Sequence, residues 1–159
     1  MAIATSTFLS GGGIVTTDFG GSDSGQSVIL QQDGKIVVAG ETSGGGDGGF
    51  GVVRYNTDGS LDTTFDGDGK VITAFGGWIG AGSAALQNDG MIVVAGKTVY
   101  DGGGGDFALV RYNTNGSLDT SFDLDGKVTT DFGAYDAAAS VIVLSDEKIL
   151  AAGYTGVDG

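Results

Sequence analysis

The chain repeats itself nearly three times over, and this constrains its fold more than any other feature. RYNTDGSLDTTF (54–65) returns 57 residues later as RYNTNGSLDTSF (111–122), with ten of twelve letters unchanged. DGKIVVAG (33–40) returns as DGMIVVAG (89–96) and, more weakly, as DEKILAAG (146–153). GIVTTDFG (13–20) returns as GKVITAFG (69–76) and GKVTTDFG (126–133). These anchors are spaced 56 and then 57 residues apart, whereas Phe8, Phe65 and Phe122 lie 57 and 57 apart, which places a single-residue gap in the first unit. The 159 residues therefore form one repeat domain, with units at about 8–64, 65–121 and 122–159. Self-similarity at such a period means that each unit is one supersecondary element burying its apolar face on its neighbours.

The elements are strands. The middle unit holds four apolar segments, KVITAF (70–75), SAALQ (83–87), MIVVAG (91–96) and DFALVRY (106–112), rich in β-branched and aromatic residues. QQDG (31–34) and QNDG (87–90) place Asp-Gly between short apolar runs, the pattern of a tight hairpin. NTDG and NTNG mark a second tight turn. The 33 glycines punctuate these runs and read as turns between strands, not as low complexity. IVVA and ALV are continuous apolar runs, which implies strands covered on both faces.

Four-stranded units stacked face to face are β-propeller blades. The expected fold is all-β, built of propeller-type blades in three four-stranded repeats with the last one incomplete; a two-sheet sandwich is the competing arrangement. The succession GKVTTDFG, SVILQQDGKIVVAG, GGDFALVRYNTDGSLDTTF closely resembles the delta-60 repeat family, a bacterial repeat regarded as a β-propeller unit of unknown function. The likeness runs over essentially the whole chain. It implies architecture and carries no catalytic residues.

Three blades fall short of the four to eight that close a ring. The third unit stops at GYTGVDG (153–159), where earlier copies continue to GFGVVRY (49–55) and DFALVRY (106–112). MAIATST aligns with the turn before Phe65 and not with a FALVRY segment, so eleven strands are expected, three times four minus one. Either the chain is a fragment of a longer propeller or copies associate. Homo-oligomerisation is the favoured expectation, with a dimer giving six blades and a non-closing contact giving a filament.

Seven basic and twenty acidic residues give a net charge of −13, a surface that repels phosphate backbones and anionic lipid heads and tolerates divalent cations. No nucleic-acid partner and no membrane insertion are expected, since no apolar run approaches 18 residues. The opening MAIATSTFLSGGG lacks a basic region and a long apolar stretch, so this chain shows no signal peptide, although one could have been removed before the numbering begins. An extracellular or cell-surface bacterial setting is expected from the resemblance and the acidic, Thr/Gly-rich composition. With no cysteine and no histidine, thiol chemistry, Ser–His pairs and metal–His sets cannot be built. A carboxylate-dependent glycoside hydrolase is conceivable, but nothing singles out one acidic pair, and the chain is expected not to be an enzyme.

Four candidate sites remain. GGGDGG (44–49) satisfies G-x-G-x-x-G, but FGVVRY, a strand, follows where a dinucleotide loop needs a helix. DGDG (66–69) and DLDG (123–126) place Asp66 with Asp68, and Asp123 with Asp125, as partial calcium ligand sets, against the plain reading of an acidic turn. Arg54 and Arg111 end strands beside YNT and are expected to be structural, each tying its strand end to Asp62 or Asp119 in bidentate geometry. Ser22, Trp78 and Tyr135 are equivalent positions in a loop that varies between units. Trp78 and Tyr135, with Asp23 and Asp136 beside them, would suit a lectin-like site stacking on sugar faces; the plain alternative is that Trp78 and Ile79 cap a blade or seal an interface.

Overall fold

The computed structural model describes residues 2–4, 13–44, 48–99 and 104–156. Within them every regular element is a strand: β1 (Ala2–Ala4), β2 (Ile14–Thr16), β3 (Asp23–Leu30), β4 (Ile36–Thr42), β5 (Gly49–Tyr55), β6 (Lys70–Thr73), β7 (Trp78–Leu86), β8 (Ile92–Val99), β9 (Phe107–Tyr112), β10 (Lys127–Thr130), β11 (Asp136–Val143) and β12 (Ile149–Thr155). Among the described residues no helix is long and apolar enough to cross a membrane.

Two sheets are complete, β3-β4-β5-β6 and β7-β8-β9-β10, and every neighbouring pair in them is antiparallel. Two are two-stranded, β1-β2 and β11-β12. Asp-Gly makes the hairpins as expected: the Gly34 and Gly90 amides donate to the carbonyls of Gln31 and Gln87, each glycine at positive φ. In the third unit Glu147 takes the same left-handed position, at φ 65°. In three of the four sheets the first strand carries a bulge at one repeated place, between Gly25 and Ser27, Ala81 and Ser83, and Ala138 and Ser140.

The sheets stack. Val37, Ala39, Phe50 and Val52 of the first complete sheet pack on Ile79, Ile92, Val94 and Val110 of the second. The other face of the second, through Val93 and Ala95, packs on Ala138 and Val141 of β11. The other face of the first, through Ile36, Val38, Val53 and Tyr55, meets Val15 of β2. Both faces of β4, β5 and β8 are therefore buried, which is why IVVA reads as a continuous apolar run. A buried hydroxyl pair latches each of two junctions: Tyr112 Oη to Thr73 Oγ1 at 2.7 Å, and Tyr55 Oη to Thr17 Oγ1 at 2.6 Å.

Two expectations change. GKVITAF does not open the sheet of its own unit: β6 pairs with β5, so each sheet begins one strand after the sequence unit does. The N-terminus also supplies a strand, giving twelve among the described residues. Ala2, Ile3 and Ala4 pair with Thr16, Val15 and Ile14, as Gly51, Val52 and Val53 pair with Ile72, Val71 and Lys70. β1 thus stands in the place of the GFGVVRY strand. Alignment from Phe8, which lies outside the described residues, hid this because the connection is shorter. Ala4 to Ile14 is ten positions, against seventeen from Val53 to Lys70 (14 − 4 and 70 − 53).

Candidate assembly surface and acidic cluster

The two-stranded sheets correspond to opposite halves of a complete four-stranded sheet. β11 and β12 align with the first two strands of a complete sheet, because Val143 pairs with Ile149 as Leu30 pairs with Ile36 and Leu86 with Ile92. β1 and β2 align with the last two. Among the described residues no strand pairs with the outer edge of β12 or with the second edge of β1. The faces beside these halves are apolar and open. At one end of the stack Val28 and Leu30 are 65% and 66% exposed; at the other Ile142 and Leu150 are 50% and 52% exposed. Their equivalents inside the stack are covered: Leu150 corresponds to Val37 and Val93, both fully buried, and Val28 to the buried Val141. Thr130, which corresponds to the latching Thr17 and Thr73, is exposed.

The arginines sit where each unit's last turn folds back. Arg54 is buried and its Nε donates to Asp62 Oδ2 at 2.6 Å, Nη1 to the Thr114 carbonyl at 2.5 Å in the next sheet, and Nη2 to Thr64 Oγ1 at 3.1 Å. Its guanidinium lies 4.7 Å from the Phe65 ring centroid. Arg111 repeats the pattern with Asp119, Ser121 and Phe122. Both Nε and Nη2 of Arg111 reach one oxygen, Oδ2 of Asp119, and Arg54 also uses Oδ2 alone. The other oxygen takes the Thr64 or Ser121 amide and hydroxyl, so the expected fork-to-fork geometry gives way to a turn-closing network. Lys35 also reaches Asp62, at 2.9 Å, a partner the sequence reading missed.

The DGDG and DLDG turns divide their carboxylates. Asp68 Oδ1 accepts from the Lys70 amide and Asp125 Oδ1 from the Lys127 amide, both at 2.9 Å, closing the turns locally. Asp66 and Asp123 lie at φ 50°. The Asp66 carboxyl sits above its ordinary range through burial and the charge of Asp68. Asp123, Asp125 and Lys127 line an open groove with Ala74, Phe75, Gly76 and Thr129. Lys127 Nζ, 3.9 Å from Asp125 Oδ2, already supplies a positive charge there. The middle of the glycine-rich run, 45–47, lies outside the described residues.

Trp78 is the first residue of β7 and pairs with Val99. Tyr135 bridges Gly105, and its hydroxyl accepts from Lys97 Nζ at 2.6 Å. That bond holds the Lys97 ammonium above its ordinary range. The Tyr135 ring stacks on Tyr154, centroids 6.3 Å apart. Asp23 and Asp136 begin β3 and β11 and close equivalent loops: their Oδ2 atoms accept from the amides of Phe19 and Phe132 at 2.9 and 2.7 Å. Asp136 is fully buried, out of reach of a sugar hydroxyl in solvent. Each retains a buried Oδ1 with no hydrogen-bond partner.

Around Asp136 a cluster forms that the sequence reading did not assemble. One carboxylate oxygen from each of Asp106, Asp131 and Asp136 lies within 4.8 Å of the others. Asp106 precedes β9 and Asp131 follows β10, both on the second sheet, while Asp136 opens β11. The Gly105–Tyr135 bridge and the Asp136 amide, donating to the Gly105 carbonyl at 2.6 Å, hold these elements together. Burial, and the like charges of Asp131 and Asp136, keep the Asp106 carboxyl above its ordinary range. The signal was present: TTDFG followed by Asp recurs at Asp18 and Asp23 but reads Ala74 and Ile79 in the middle unit.

Residues 31–65 and 87–122 match a family model described as "Domain of unknown function (DUF5122) beta-propeller". Each stretch runs from the Asp-Gly hairpin to the phenylalanine at the end of the repeated RYNT phrase, so the chain is similar to that family where its repeat is clearest. The match supports a propeller repeat of unknown function and does not reach the delta-60 name. No curated protein matches the chain.

Proposed function

We propose that this chain is a non-enzymatic β-propeller module that works by self-assembly, a blade of the ring being shared between two copies. The observation that carries the reading is the complementarity of the two half-sheets: β11-β12 lacks the two strands that β1-β2 represents. In complete sheets Val94 pairs with Val110 and Val38 with Val53. Carried onto the halves, this register sets Ala151 against Ala4, Ala152 against Ile3 and Gly153 against Ala2 of a second copy. The same step brings Ile142 and Leu150 of one copy onto Val28 and Leu30 of the other, as Ile29 and Val37 already meet Ala84, Leu86 and Ile92. Apolar surface and free strand edges, both liabilities in water, are removed together.

Copy number follows from closure. Each chain brings two complete sheets and two halves that join into one more, so n copies give 3n blades. Rings close with about four to eight blades, so two copies, with six blades, satisfy both conditions. The absence of histidine and cysteine from the sequence favours a scaffold over a catalyst. Light scattering with mass determination tests the reading. A mass of 31.4 kDa, twice 15.7 kDa, is expected; a monomer at 15.7 kDa across micromolar concentrations refutes it.

A further inference from the structure

We propose that the junction between the second complete sheet and β11 is a binding site for a divalent cation of the calcium type, held by Asp106, Asp131 and Asp136. Three carboxylates converge within 4.8 Å, and none of them has an ion-pair partner among the described residues. Like charges so close oppose one another unless a counter-charge enters or protons are taken up.

Loop closure explains only half of Asp136. Its Oδ2 accepts from the Phe132 amide, but Oδ1 is buried and unpartnered on a side chain with 0% exposure. A buried ionised oxygen without a donor is expensive, and a cation among the three carboxylates supplies the missing partner. Asp131 is placed likewise, with Oδ1 accepting from the Gly133 amide at 2.6 Å. The Asp106 side chain accepts no hydrogen bond among the described residues. Asp23 repeats the loop bond and the unpartnered oxygen, but no third acid joins it and Asp18 among the described residues. The cluster at the later junction is the one with enough donors.

The donor set selects the ion class. All three ligands are hard carboxylate oxygens, which suit calcium or magnesium over softer metals. Oxygens within 4.8 Å of one another fit a calcium sphere, whose metal–oxygen distances of about 2.3–2.6 Å span about 5 Å across. Magnesium, at about 2.0–2.1 Å in strict octahedral geometry, sheds its waters reluctantly and is less suited to a cage of protein carboxylates. Because Asp106 and Asp131 belong to one sheet and Asp136 to the next, the ion clamps the two together.

The test is calorimetric titration of the full chain with calcium chloride after chelator treatment, with magnesium chloride as comparison. One calcium per chain and weaker magnesium binding are expected. Asp106→Asn, which removes a ligand without removing a hydrogen bond, should weaken calcium binding by roughly tenfold or more, and Asp131→Asn should do the same with the fold intact by circular dichroism. Asp68→Asn and Asp125→Asn should bind as the parent does. No calcium binding by the parent at millimolar ion overturns the proposal. So does unchanged binding by Asp106→Asn, or an equal loss in Asp125→Asn.

Discussion

Removing the Tyr112 hydroxyl tests whether the sheets are latched to one another or merely pressed together. Tyr112 is fully buried and Thr73 is 5% exposed; their hydroxyls meet at 2.7 Å between strands of successive sheets. Burial pushes the Tyr112 phenol well above its ordinary range, so the pair stays neutral at any working pH. Tyr112→Phe leaves Thr73 Oγ1 buried without its partner, and Thr73→Val leaves the phenol in the same state. An unpaired buried hydroxyl costs about 1–3 kcal/mol, so each single variant should lose about 2 kcal/mol. The double variant removes both polar groups and strands neither, so it should lose only about 0.5–1.5 kcal/mol, less than either single variant and far below the additive 4. Urea unfolding of all four proteins at one fixed concentration reads the cycle, since the proposed assembly would make apparent stability depend on concentration. Additive losses would refute a direct coupling through the latch.

Three further outcomes follow from the same packing. A Cβ at Gly96 would run into the Gly80 carbonyl and the Ala81 backbone, with no rotamer to relieve it; Gly96→Ala should therefore lose about 3 kcal/mol. Gly104→Ala meets nothing within 4 Å and should stay within about 0.5 kcal/mol of the parent, so equal thermal unfolding of the two variants would count against this account of the bulge. Burial alone would raise the Asp62 carboxyl, but the Thr64 hydroxyl, Lys35, the Thr64 amide and Arg54 hold it well below the usual carboxylate range. A carboxylate lowered in the fold adds stability above its unfolded value and loses it as pH falls, here on the order of 2 kcal/mol between about pH 5 and pH 2. Asp62→Asn, less stable at pH 7, should flatten that acid slope; the same slope in both proteins would sink the assignment. Leu150→Asp should abolish the 31.4 kDa species, twice 15.7 kDa, without unfolding the chain, because Leu150 is half exposed within one copy.

The strands themselves were legible. β-Branched runs and Asp-Gly turns placed IVVA in β4 and β8, FGVV in β5 and FALV in β9, because both signals act within a few residues. Which sheet GKVITAF joins was not legible, since its pairing with β5 is a contact made after a long turn. β1 was missed for a related reason: three residues carry little pattern, and the connection after them is shorter than in the other units. At the candidate sites, Arg54–Asp62 and Arg111–Asp119 could be read because the partners lie eight positions apart on one repeated turn. Asp106, Asp131 and Asp136 belong to two sheets, and only the stacking brings them together.

The shared blade makes the most exposed claim, and the chain's lack of cysteine allows it to be tested by register. A protein carrying Ile3→Cys, mixed with one carrying Ala152→Cys and oxidised gently, should form a disulfide-linked dimer in high yield, because paired strands bring those Cβ atoms within bonding range. Ile3→Cys with Tyr154→Cys, two positions out of register, should cross-link poorly. Efficient linkage of the first pair alone is the result the account predicts. Failure of that pair, or equal linkage of both, would contradict it.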